Sequence, residues 1–522
     1  MLPLGKSLET LGAPMRGDRS AERLSAIRSD RLLPRLSIAL IGLLYLLTFP
    51  QNFTEGEDAV YYADRVAGAV PMWHPNHLLY EPLMHGLTRA PWPGADALAV
   101  MQLASLVAAL WSLALVWKIA RLAGGGLSAC MVALWSLAGC FAFWLYGMYP
   151  DTYALPLPFV LAGVVALWQA IWDQGGARAA AFAGVLAGVA TLLHQAHVFL
   201  ALPALGLLLC HRRFGAALAW LGCFLPLVGA LYLWVGWGLL GHDSLPELLD
   251  WARGYAADGL WTPLSVLAPV KAVIGLGTAI WSSLFLFASP RLAALVEGAF
   301  PGRLLLEEAH FAQTGLALPV GPLLALTVLS VLALGWLGLG AMLRRGRAIS
   351  PGVGLVLALH GATYAIVTTI WEPTNKEFWI AALPFLALLM ALRMPATGGA
   401  LRLATVGIVA LWIANGAGAM MGFARADTDY WRVLHAPLLA ELRPGDVLVD
   451  DCGYICTGYL LLFSPAELLP VDALSRAAET GPGRILLTSR ALAALEAQGS
   501  PIDAGLVPVF NTPRLSLSEL PR

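Results

Sequence analysis

Three acidic residues follow the first strongly apolar segment of the chain. They lie in the sequence Thr-Glu-Gly-Glu-Asp-Ala-Val-Tyr-Tyr-Ala-Asp-Arg of residues 54–65, beside two adjacent tyrosines, the second of which is Tyr62. A carboxylate held near a membrane surface can accept a proton from a hydroxyl or amide nucleophile. Neighbouring acids and partial burial raise the pKa of a carboxyl group toward a value useful for that task. The simpler interpretation is a solvated acidic loop that keeps this segment in water.

Two histidines and a tyrosine follow within Trp-His-Pro-Asn-His-Leu-Leu-Tyr, residues 73–80. His74, His77 and Tyr80 fall on one side of a helix that starts after Pro75, which is typical of an amphipathic helix at the membrane surface. Histidines there can hydrogen-bond a phosphate or a sugar. The alternative is an interfacial helix whose polar groups only cap and snorkel. A histidine metal site is weaker still, because no HExxH-like pair is present.

Two further polar motifs interrupt apolar runs. Asp151 and Tyr153 lie in Tyr-Pro-Asp-Thr-Tyr, a turn between two apolar segments. Asp151 is either part of a site or the N-cap of the next helix, since Asp is a favoured capping residue. His194 and His197 are three residues apart and share one helical face. They either line a polar cavity or mark the membrane interface.

One lysine stands out in the sequence Trp-Glu-Pro-Thr-Asn-Lys-Glu-Phe-Trp of residues 371–379. Lys376 is one of only four lysines in a chain with 28 arginines. An ammonium group is a compact point charge that can neutralise a phosphate. The alternative is a surface turn in which Lys376 pairs with Glu372 or Glu377.

The composition indicates which elements must position these residues. Of 522 residues, 58% are hydrophobic and 12% are charged, about half of the roughly 25% that is usual in soluble proteins. Mean hydropathy is +0.71. So little polar surface cannot cover one aqueous core, which excludes a soluble enzyme, a disordered protein and a nucleic-acid binder. With a net charge of -1, no global field recruits nucleic acid or acidic lipid. The composition therefore predicts a polytopic membrane protein.

Eleven apolar segments are candidate membrane spans. The segment 198–210 is short for a span and needs its flanks or burial among other helices, because a spanning helix uses about 20 residues. A further run at 264–289, with Pro269, Lys271 and several glycines, is expected to add no net crossing. The eleven segments are 32–49, 97–117, 127–148, 153–172, 179–196, 198–210, 216–240, 317–343, 352–371, 377–392 and 402–423.

Basic residues orient the predicted spans, because cytoplasmic loops collect Lys and Arg. Placing every basic cluster inside gives eleven crossings, a cytoplasmic N-terminus and an outer C-terminus. Residues 1–31 read as a disordered cytoplasmic tail. The motifs described above then share the outer face, with a large outer loop at 50–96. The basic clusters are the N-terminal tail, Lys118 with Arg121, Arg178, Arg212 with Arg213, Arg344 to Arg347, and Arg393 with Arg402.

The composition changes after the last predicted span, at about residue 424. Short buried strands are expected at 443–451 and 483–489, with helical segments such as Arg490–Gln498 between and after them. Strands that alternate with helices indicate a small α/β domain over residues 425–522. Cys452 and Cys456 can pair if this domain faces an oxidising compartment.

Three of these motifs together resemble the GT-C superfamily of membrane glycosyltransferases, which includes lipid A aminoarabinose transferases and protein O-mannosyltransferases. Residues 58–63 are similar to the Asp-x-x-x-Tyr-Ala stretch after the first span of those enzymes, and residues 74–80 to a His-Pro segment of many bacterial members. Residues 150–155 are similar to their Pro-Glu-x-Tyr-Ala-Leu turn, with Asp in place of Glu. The resemblance covers most of residues 32–424.

The resemblance implies an inverting transfer of a sugar from a polyprenyl-phosphate donor. Asp58 would be the catalytic base, with Glu57 as the alternative, and Asp151 a second acid that orients the acceptor. Asp58 and Asp151 would also hold a divalent cation, Mg²⁺ or Mn²⁺, although no Asp-x-Asp is present in the first outer loop. Lys376 would contact the lipid phosphate. The other candidate substrate-binding residues are Tyr62, His74, His77, Tyr80, Tyr153, His194 and His197.

The expected fold is thus an α-helical polytopic membrane protein of about eleven transmembrane helices, GT-C-like, with a small α/β extracytoplasmic domain at its C-terminus. Its expected location is the bacterial cytoplasmic (inner) membrane, with a periplasmic site, a membrane-embedded lipid donor and a glycan, lipid or protein acceptor. No nucleotide-sugar signal such as a Gly-rich phosphate loop is present. Two alternatives are a transporter or flippase of a lipid-linked sugar and a non-catalytic assembly partner with the same fold.

Overall fold

The structure is a computed structural model. It describes residues 17–68, 73–89, 96–257, 261–262, 265–299, 305–343, 350–395, 397–477, 483–500, 502 and 505–520, and the backbone alone at 17–31, 57, 257, 343 and 351.

Helices form nearly all of the chain before residue 445. The first half contains α1 (Gly17–Leu47), α2 (Glu57–Ala67), α3 (Tyr80–Thr88), α4 (Ala97–Leu122), α5 (Leu127–Gly139), α6 (Phe141–Tyr146), α7 (Leu157–Trp172), α8 (Gly176–Leu193), α9 (Ala201–Cys210), α10 (Phe214–Leu233) and α11 (Leu245–Arg253). The second half contains α12 (Ala268–Ile280), α13 (Pro290–Ala299), α14 (Leu306–Thr314), α15 (Val320–Leu343), α16 (Pro351–Ile370), α17 (Leu383–Arg393), α18 (Gly398–Asn415), α19 (Met421–Phe423) and α20 (Tyr430–Glu441).

The helical membrane fold expected from the sequence is confirmed. Within the described part of the chain, six helices are long and apolar enough to cross a membrane: Ala97–Leu122, Gly176–Leu193, Phe214–Leu239, Val320–Met342, Gly352–Ile370 and Gly398–Phe423. The other five predicted spans coincide with shorter apolar helices, Leu32–Leu47, Leu127–Gly139, Leu157–Trp172, Gln195–Cys210 and Leu383–Arg393. Each of these five helices is shorter than the roughly 20 residues that a full span needs. The count of eleven crossings therefore stays a prediction.

The first helix begins earlier than its apolar segment. Residues 17–31, which the sequence analysis assigned to a disordered tail, form the first turns of α1. Ala, Leu, Arg and Glu in this stretch are good helix formers, so a helix that starts in the apolar segment can extend backward through them.

The loops that carry several basic clusters gather at one end of the bundle. Arg213 donates a hydrogen bond to the carbonyl of Ile171 at 2.9 Å, and the amide of Ser350 donates to the carbonyl of Ala123. This end lies a full helix length from the loops at Asp151 and His194, because α7 and α8 run between the two ends. The basic and the chemically interesting loops are therefore on opposite ends, as expected from charge alone.

The segment 264–289 lies at the site end of the bundle. The amide of Thr262, before α12, donates to the carbonyl of Ile370 at 3.0 Å. After α12, the amide of Ser282 donates to the side chain of Asn415 at 2.9 Å, and Thr278 lines the same cavity as Asp151. The 13 residues of α12 rise only about 20 Å at 1.5 Å per residue, which is short of the roughly 30 Å hydrocarbon core.

The C-terminal region forms the expected α/β domain. It contains β1 (Val447–Val449), α21 (Tyr454–Phe463), β2 (Glu467–Leu469), α22 (Leu474–Ala477), β3 (Ile485–Thr488), α23 (Ser489–Ala497), β4 (Val507–Asn511) and β5 (Ser516–Leu520). The sheet order is β2-β1-β3-β5-β4. β1 is parallel to β2 and β3, whereas β5 is antiparallel to β3 and β4. The two strands predicted from the sequence, now β1 and β3, are the buried neighbours at the centre.

Side chains before α20 join the loop that precedes α2 to the end of the bundle. Asp429 accepts a hydrogen bond from the amide of Phe53 at 2.8 Å, and the amide group of Asn52 donates to Thr428 at 2.9 Å. Asn52, Thr428 and Asp429 are buried. Because buried polar groups are costly unless paired, these bonds fix the loop that leads into α2.

Candidate active site

Helix α2 presents Asp58 from its first turn. Gly56 precedes the helix, and a Cβ at that position would lie 2.5 Å from the ring of Tyr149, so only glycine fits. The hydroxyl of Tyr62, one turn later, donates to Asp58 Oδ2 at 3.4 Å. The hydroxyl of Tyr454 donates to Asp58 Oδ1 at 2.7 Å. The side chain of Glu57, the alternative base, lies outside the described part of the structure.

Asp151 is buried in the turn between α6 and α7. Its Oδ1 accepts from the amide of Thr152 at 2.6 Å. Burial raises the pKa of Asp151 well above its ordinary value, and the negative charges of Glu377 and Asp58 add to the shift. The capping interpretation is wrong, because Pro156 occupies the N-cap position of α7. Asp151 therefore faces the other acids instead of serving the helix.

Lys376 forms an ion pair with Glu55. Both side chains are mostly buried, at 15% and 7% exposure. The sequence suggested Glu372 or Glu377 as partners, and that pairing is wrong. The neighbouring acids are instead held by Asn375, whose side-chain amide donates to Glu372 at 3.2 Å and to Glu377 at 2.8 Å.

Glu377 is a site residue that the sequence analysis did not single out. Tyr146 donates to its Oε2 at 3.3 Å. Burial, followed by the negative charge of Asp58, raises the pKa of Glu377 to about 7. A carboxyl group with such a pKa exchanges protons near neutral pH. Its only signal in the sequence was its place beside Lys376.

One polar cavity of about 330 Å³ gathers these groups. Asp58 from α2 and Asp151 from the turn before α7 both line it, as the sequence analysis predicted. The other charged side chains that line it are Glu55, Glu308, Glu372, Lys376 and Glu377. Acids thus outnumber cations here, and their negative charges add to the effect of burial, which is the main cause of the raised pKa values of Asp151 and Glu377.

A larger cavity of about 780 Å³ adjoins the polar one. Asp58, Glu372 and Glu377 line both cavities, so the carboxylates lie where the two meet. The predicted residues Tyr62, His77, Tyr153, His194 and His197 line the larger cavity. Most of the remaining wall is apolar or aromatic, and includes Phe199, Val228, Tyr232, Trp261, Tyr364, Trp371 and Phe378.

His74 and Tyr80 do not line either cavity but pack against residues that line the larger one. The ring of His74 stacks on His77 with centroids 4.6 Å apart, and the ring of Tyr80 lies 5.8 Å from that of Tyr62. The single helix predicted after Pro75 is wrong. A 3-10 turn covers Pro75–His77 and α3 begins at Tyr80, because the ring of His74 accepts from the amide of Asn76 and closes a local turn.

The histidines of the larger cavity are neutral at neutral pH. Burial, with His74 and His194 nearby, lowers the pKa of His77 well below its ordinary value. Burial also lowers the pKa of His194 to about 4. Neither ring nitrogen of His77 has a hydrogen-bond partner among the described residues. These rings can therefore exchange hydrogen bonds with hydroxyl groups of a ligand, but they add no positive charge.

The carboxylates of the polar cavity are not drawn together tightly. Among the described residues, the only group of three potential metal ligands within 4.8 Å of one another is His435, Asp450 and Cys456, in the C-terminal domain. Cys456 is bound in a disulfide with Cys452, and Arg490 forms an ion pair with Asp450. That group is consequently a structural cluster.

The geometry defines a helical membrane protein with an acid-lined cavity at one end of its bundle. No protein-family model matches the sequence, and no curated protein sequence matches it. Solved structures do match. The ArnT of Cupriavidus metallidurans bound to undecaprenyl phosphate is 15% identical, with a TM-score of 0.50 over 93% of this chain and 97% of that chain.

The same ArnT in its apo state is 14% identical, with a TM-score of 0.51 over 93% of this chain and 97% of that chain. The Archaeoglobus fulgidus oligosaccharyltransferase is 12% identical, with a TM-score of 0.45 over 88% of this chain and 70% of that chain. The two ArnT matches cover nearly the whole chain, so the GT-C-like fold expected from the motifs is confirmed.

Proposed function

We propose that this chain is an inverting membrane glycosyltransferase that moves a sugar from a polyprenyl-phosphate donor to an acceptor. The observation that carries the proposal is the shared cavity of Asp58 and Asp151. These residues are far apart in the sequence yet line one polar pocket that opens onto a large apolar one. A polyprenyl-phosphate donor has a charged headgroup and a long apolar chain, so a site that binds it needs both kinds of cavity.

Asp58 is the proposed general base. Its Oδ1 is occupied by the hydroxyl of Tyr454, whereas the contact of Oδ2 with Tyr62 is long at 3.4 Å. Oδ2 is thus the atom available to an acceptor hydroxyl or amide. As the acceptor attacks the anomeric carbon, its proton passes to Asp58 and the bond from that carbon to the phosphate oxygen breaks. Attack from the face opposite the phosphate inverts the anomeric configuration.

Asp151 and Glu377 are the proposed acceptor-orienting groups. The pKa of Asp151 is raised well above its ordinary value and that of Glu377 to about 7, so each carboxyl holds a proton more readily than an exposed acid does. A protonated carboxyl both donates and accepts hydrogen bonds, so these side chains can orient a hydroxyl without adding charge beside Asp58. His77 and His194, which are neutral, can bind further sugar hydroxyls.

Lys376 is the proposed contact for the departing phosphate. It is the only lysine among the residues that line the polar cavity, and its ion pair with Glu55 fixes its position. A phosphate that enters the cavity gains this cation as a partner, and the negative charge that develops on the leaving oxygen is stabilised. The polyprenyl chain then lies along the apolar wall near Phe199 and Val228.

The donor class has a second support. One of the two ArnT structures holds undecaprenyl phosphate as its bound ligand, and this chain has the same fold. We infer by that likeness a membrane-embedded polyprenyl phosphate donor for this chain. The bacterial inner membrane, a periplasmic site and a glycan, lipid or protein acceptor follow from the same reasoning together with the basic loops at the opposite end.

The acids of the polar cavity do not fit a divalent cation in this arrangement. Mg²⁺ and Mn²⁺ prefer several carboxylate oxygens around one point, and no three described acids of this cavity, Asp58 and Asp151 included, have oxygens within 4.8 Å of one another. The proposed mechanism therefore uses no step through a metal ion.

The test replaces Asp58 with asparagine, which has nearly the same size but cannot accept the proton of the acceptor. Asp58→Asn protein, purified in nanodiscs and supplied with polyprenyl-phosphate sugars, should transfer sugar at least about 100-fold more slowly than wild type, as expected for a lost general base. Asp173→Asn is the matched control, because Asp173 is exposed at the opposite end of the bundle. Undiminished transfer by folded Asp58→Asn protein would remove Asp58 from the mechanism.

A further inference from the structure

The C-terminal domain reaches into the candidate active site through one side chain. Tyr454 is the first residue of α21, and its hydroxyl lies 2.7 Å from Asp58 Oδ1. It is the sole residue of the described C-terminal domain that lines the larger cavity. The side chain remains about half exposed, at 52%. The domain therefore supplies part of the wall around the proposed base.

Helices α2 and α21 pack directly against each other around Tyr454. The rings of Tyr61 and Tyr454 stack with centroids 4.2 Å apart, and the hydroxyl of Tyr61 donates to the carbonyl of Tyr454 at 2.7 Å. The ring of Tyr61 covers Gly458, where a Cβ would lie 2.6 Å from a ring carbon. A larger residue at 458 would push α21 away, so the glycine allows the hydroxyl of Tyr454 to reach Asp58.

A disulfide closes the turn that carries Tyr454. Cys452 and Cys456 are bonded to each other and flank Tyr454 by two residues on each side. Gly453, inside this loop, has a φ of +79°, a conformation that favours glycine. Cys456 is fully buried in the core of the domain, together with Leu460 and Leu486. The disulfide thus ties a half-exposed tyrosine to the packed interior of the domain.

We propose that the disulfide-closed turn Cys452–Cys456 is a positioning device that holds the hydroxyl of Tyr454 on Asp58. Sugar transfer then depends on the oxidised state of the C-terminal domain. This inference rests on the proposed function, in which Asp58 is the base. Tyr454 acts through Asp58 and is a positioning residue.

The physical effect is on the orientation of the carboxylate. The hydrogen bond from Tyr454 to Oδ1, at 2.7 Å, restricts the rotation of the Asp58 carboxylate and leaves Oδ2 directed at the acceptor.

The first experiment removes only the hydroxyl. Tyr454→Phe keeps the stacked ring on Tyr61, and kcat for transfer should fall about tenfold, which corresponds to about 1.4 kcal/mol of lost orientation. The KM for the donor should change less than twofold. Tyr459→Phe, in the same helix but away from Asp58, is the matched control and should match wild type.

The second experiment opens the disulfide. Dithiothreitol supplies two electrons and two protons, so that Cys452 and Cys456 become thiols while the reductant closes to its own cyclic disulfide. Reduction should slow wild-type transfer by about the factor seen for Tyr454→Phe. The Tyr454→Phe protein should be insensitive to reduction, because its disulfide no longer positions a hydroxyl. Adding an oxidant should restore the wild-type rate.

Two results would overturn the inference. One is an unchanged kcat in Tyr454→Phe, and the other is an equal effect of reduction on wild type and Tyr454→Phe, which would indicate a general structural role of the disulfide. Failure of the proposed function is recognised separately, since wild-type protein would then form no new glycoside, and failure of the proposed base is recognised by transfer that Asp58→Asn retains. If Asp58→Asn is inactive while Tyr454→Phe matches wild type, the base survives and only the positioning device is rejected.

Discussion

The proposed active site contains more acidic side chains than basic ones among its described residues. Among the described residues, six acids and one lysine line the polar cavity: Glu55, Asp58, Asp151, Glu308, Glu372 and Glu377, with Lys376. Burial is the main cause of the raised pKa values of Asp151 and Glu377, and the like charges that share the cavity add to the shift. The cavity can therefore take up a proton, which suits a site where an acceptor loses one, and Lys376 is the one cation among its described lining residues for a departing phosphate.

Glu377 should make the stability of the protein depend on pH. Its pKa is about 7 in the folded protein, against an ordinary value of 4.5. Between these values the folded state binds more protons than the unfolded state, so the free energy of unfolding falls as pH rises from about 4.5 to about 7. The glutamine of Glu377→Gln cannot ionise, so the free energy of unfolding of this variant should fall less over that pH range than that of wild type. The decline that remains comes from Asp151, whose pKa is raised as well.

Thermal unfolding between pH 5 and pH 8 measures this effect. Relative to wild type, Glu377→Gln should be more stable at pH 8 than at pH 5. Glu496→Gln, at an exposed position of α23, should keep a constant difference from wild type. A constant difference for Glu377→Gln as well would show that Glu377 does not titrate in this range.

Residue types and spacing were sufficient to predict that Asp58 and Asp151 lie on the same face, but not which side chains contact each other in the site. Asp58 and Asp151 were predicted to share a face because each follows or precedes an apolar segment on the same side of the membrane. The partner of Lys376 could not be predicted, because Glu55 is 321 positions away and only the packed bundle brings them together. The contact of Tyr454 with Asp58 spans 396 positions and was missed for the same reason.

At the level of the elements, hydropathy and basic residues predicted the arrangement of the bundle well. Each predicted span coincides with an apolar helix, because the hydrophobic pattern that defines a span does not depend on its neighbours. Helix ends were predicted less well. The His74 turn and the early start of α1 depend on local hydrogen bonds and helix propensity, which hydropathy does not report.

The orientation of the elements can be tested at the turn after α16. Thr374 lines the polar cavity, and Asp173 lies exposed in the loop between α7 and α8 at the opposite end. In a background without the four free cysteines, Thr374→Cys should react with a membrane-impermeant maleimide added outside intact cells. Asp173→Cys should react only after the membrane is opened.

The reverse labelling pattern would place the site on the cytoplasmic side and would invalidate the predicted topology. The intact Cys452–Cys456 disulfide does not react with maleimide, so the background stays low. Cys130, Cys140, Cys210 and Cys223 are the cysteines to remove, since they are free.

The whole molecule combines a membrane bundle with an α/β domain that adds Tyr454 to the candidate site. The loop before α2 bonds to the segment before α20 through Asp429, and α2 packs on α21 through Tyr61 and Tyr454. A transporter must open alternately to both sides of the membrane. Here the acids, the histidines and the large cavity all lie at one end of the bundle, and the C-terminal domain is fastened to that end. This asymmetry favours an enzyme over a flippase.

The most direct test follows both products of a single turnover. Purified wild-type protein in proteoliposomes, given a polyprenyl phosphate linked to a sugar labelled at its anomeric carbon, should release polyprenyl phosphate and form an equal amount of a new glycoside. NMR of the labelled carbon should show the opposite anomeric configuration from the donor. Recovery of the intact donor lipid in the other leaflet, with no new glycosidic bond, would contradict the account and identify a flippase.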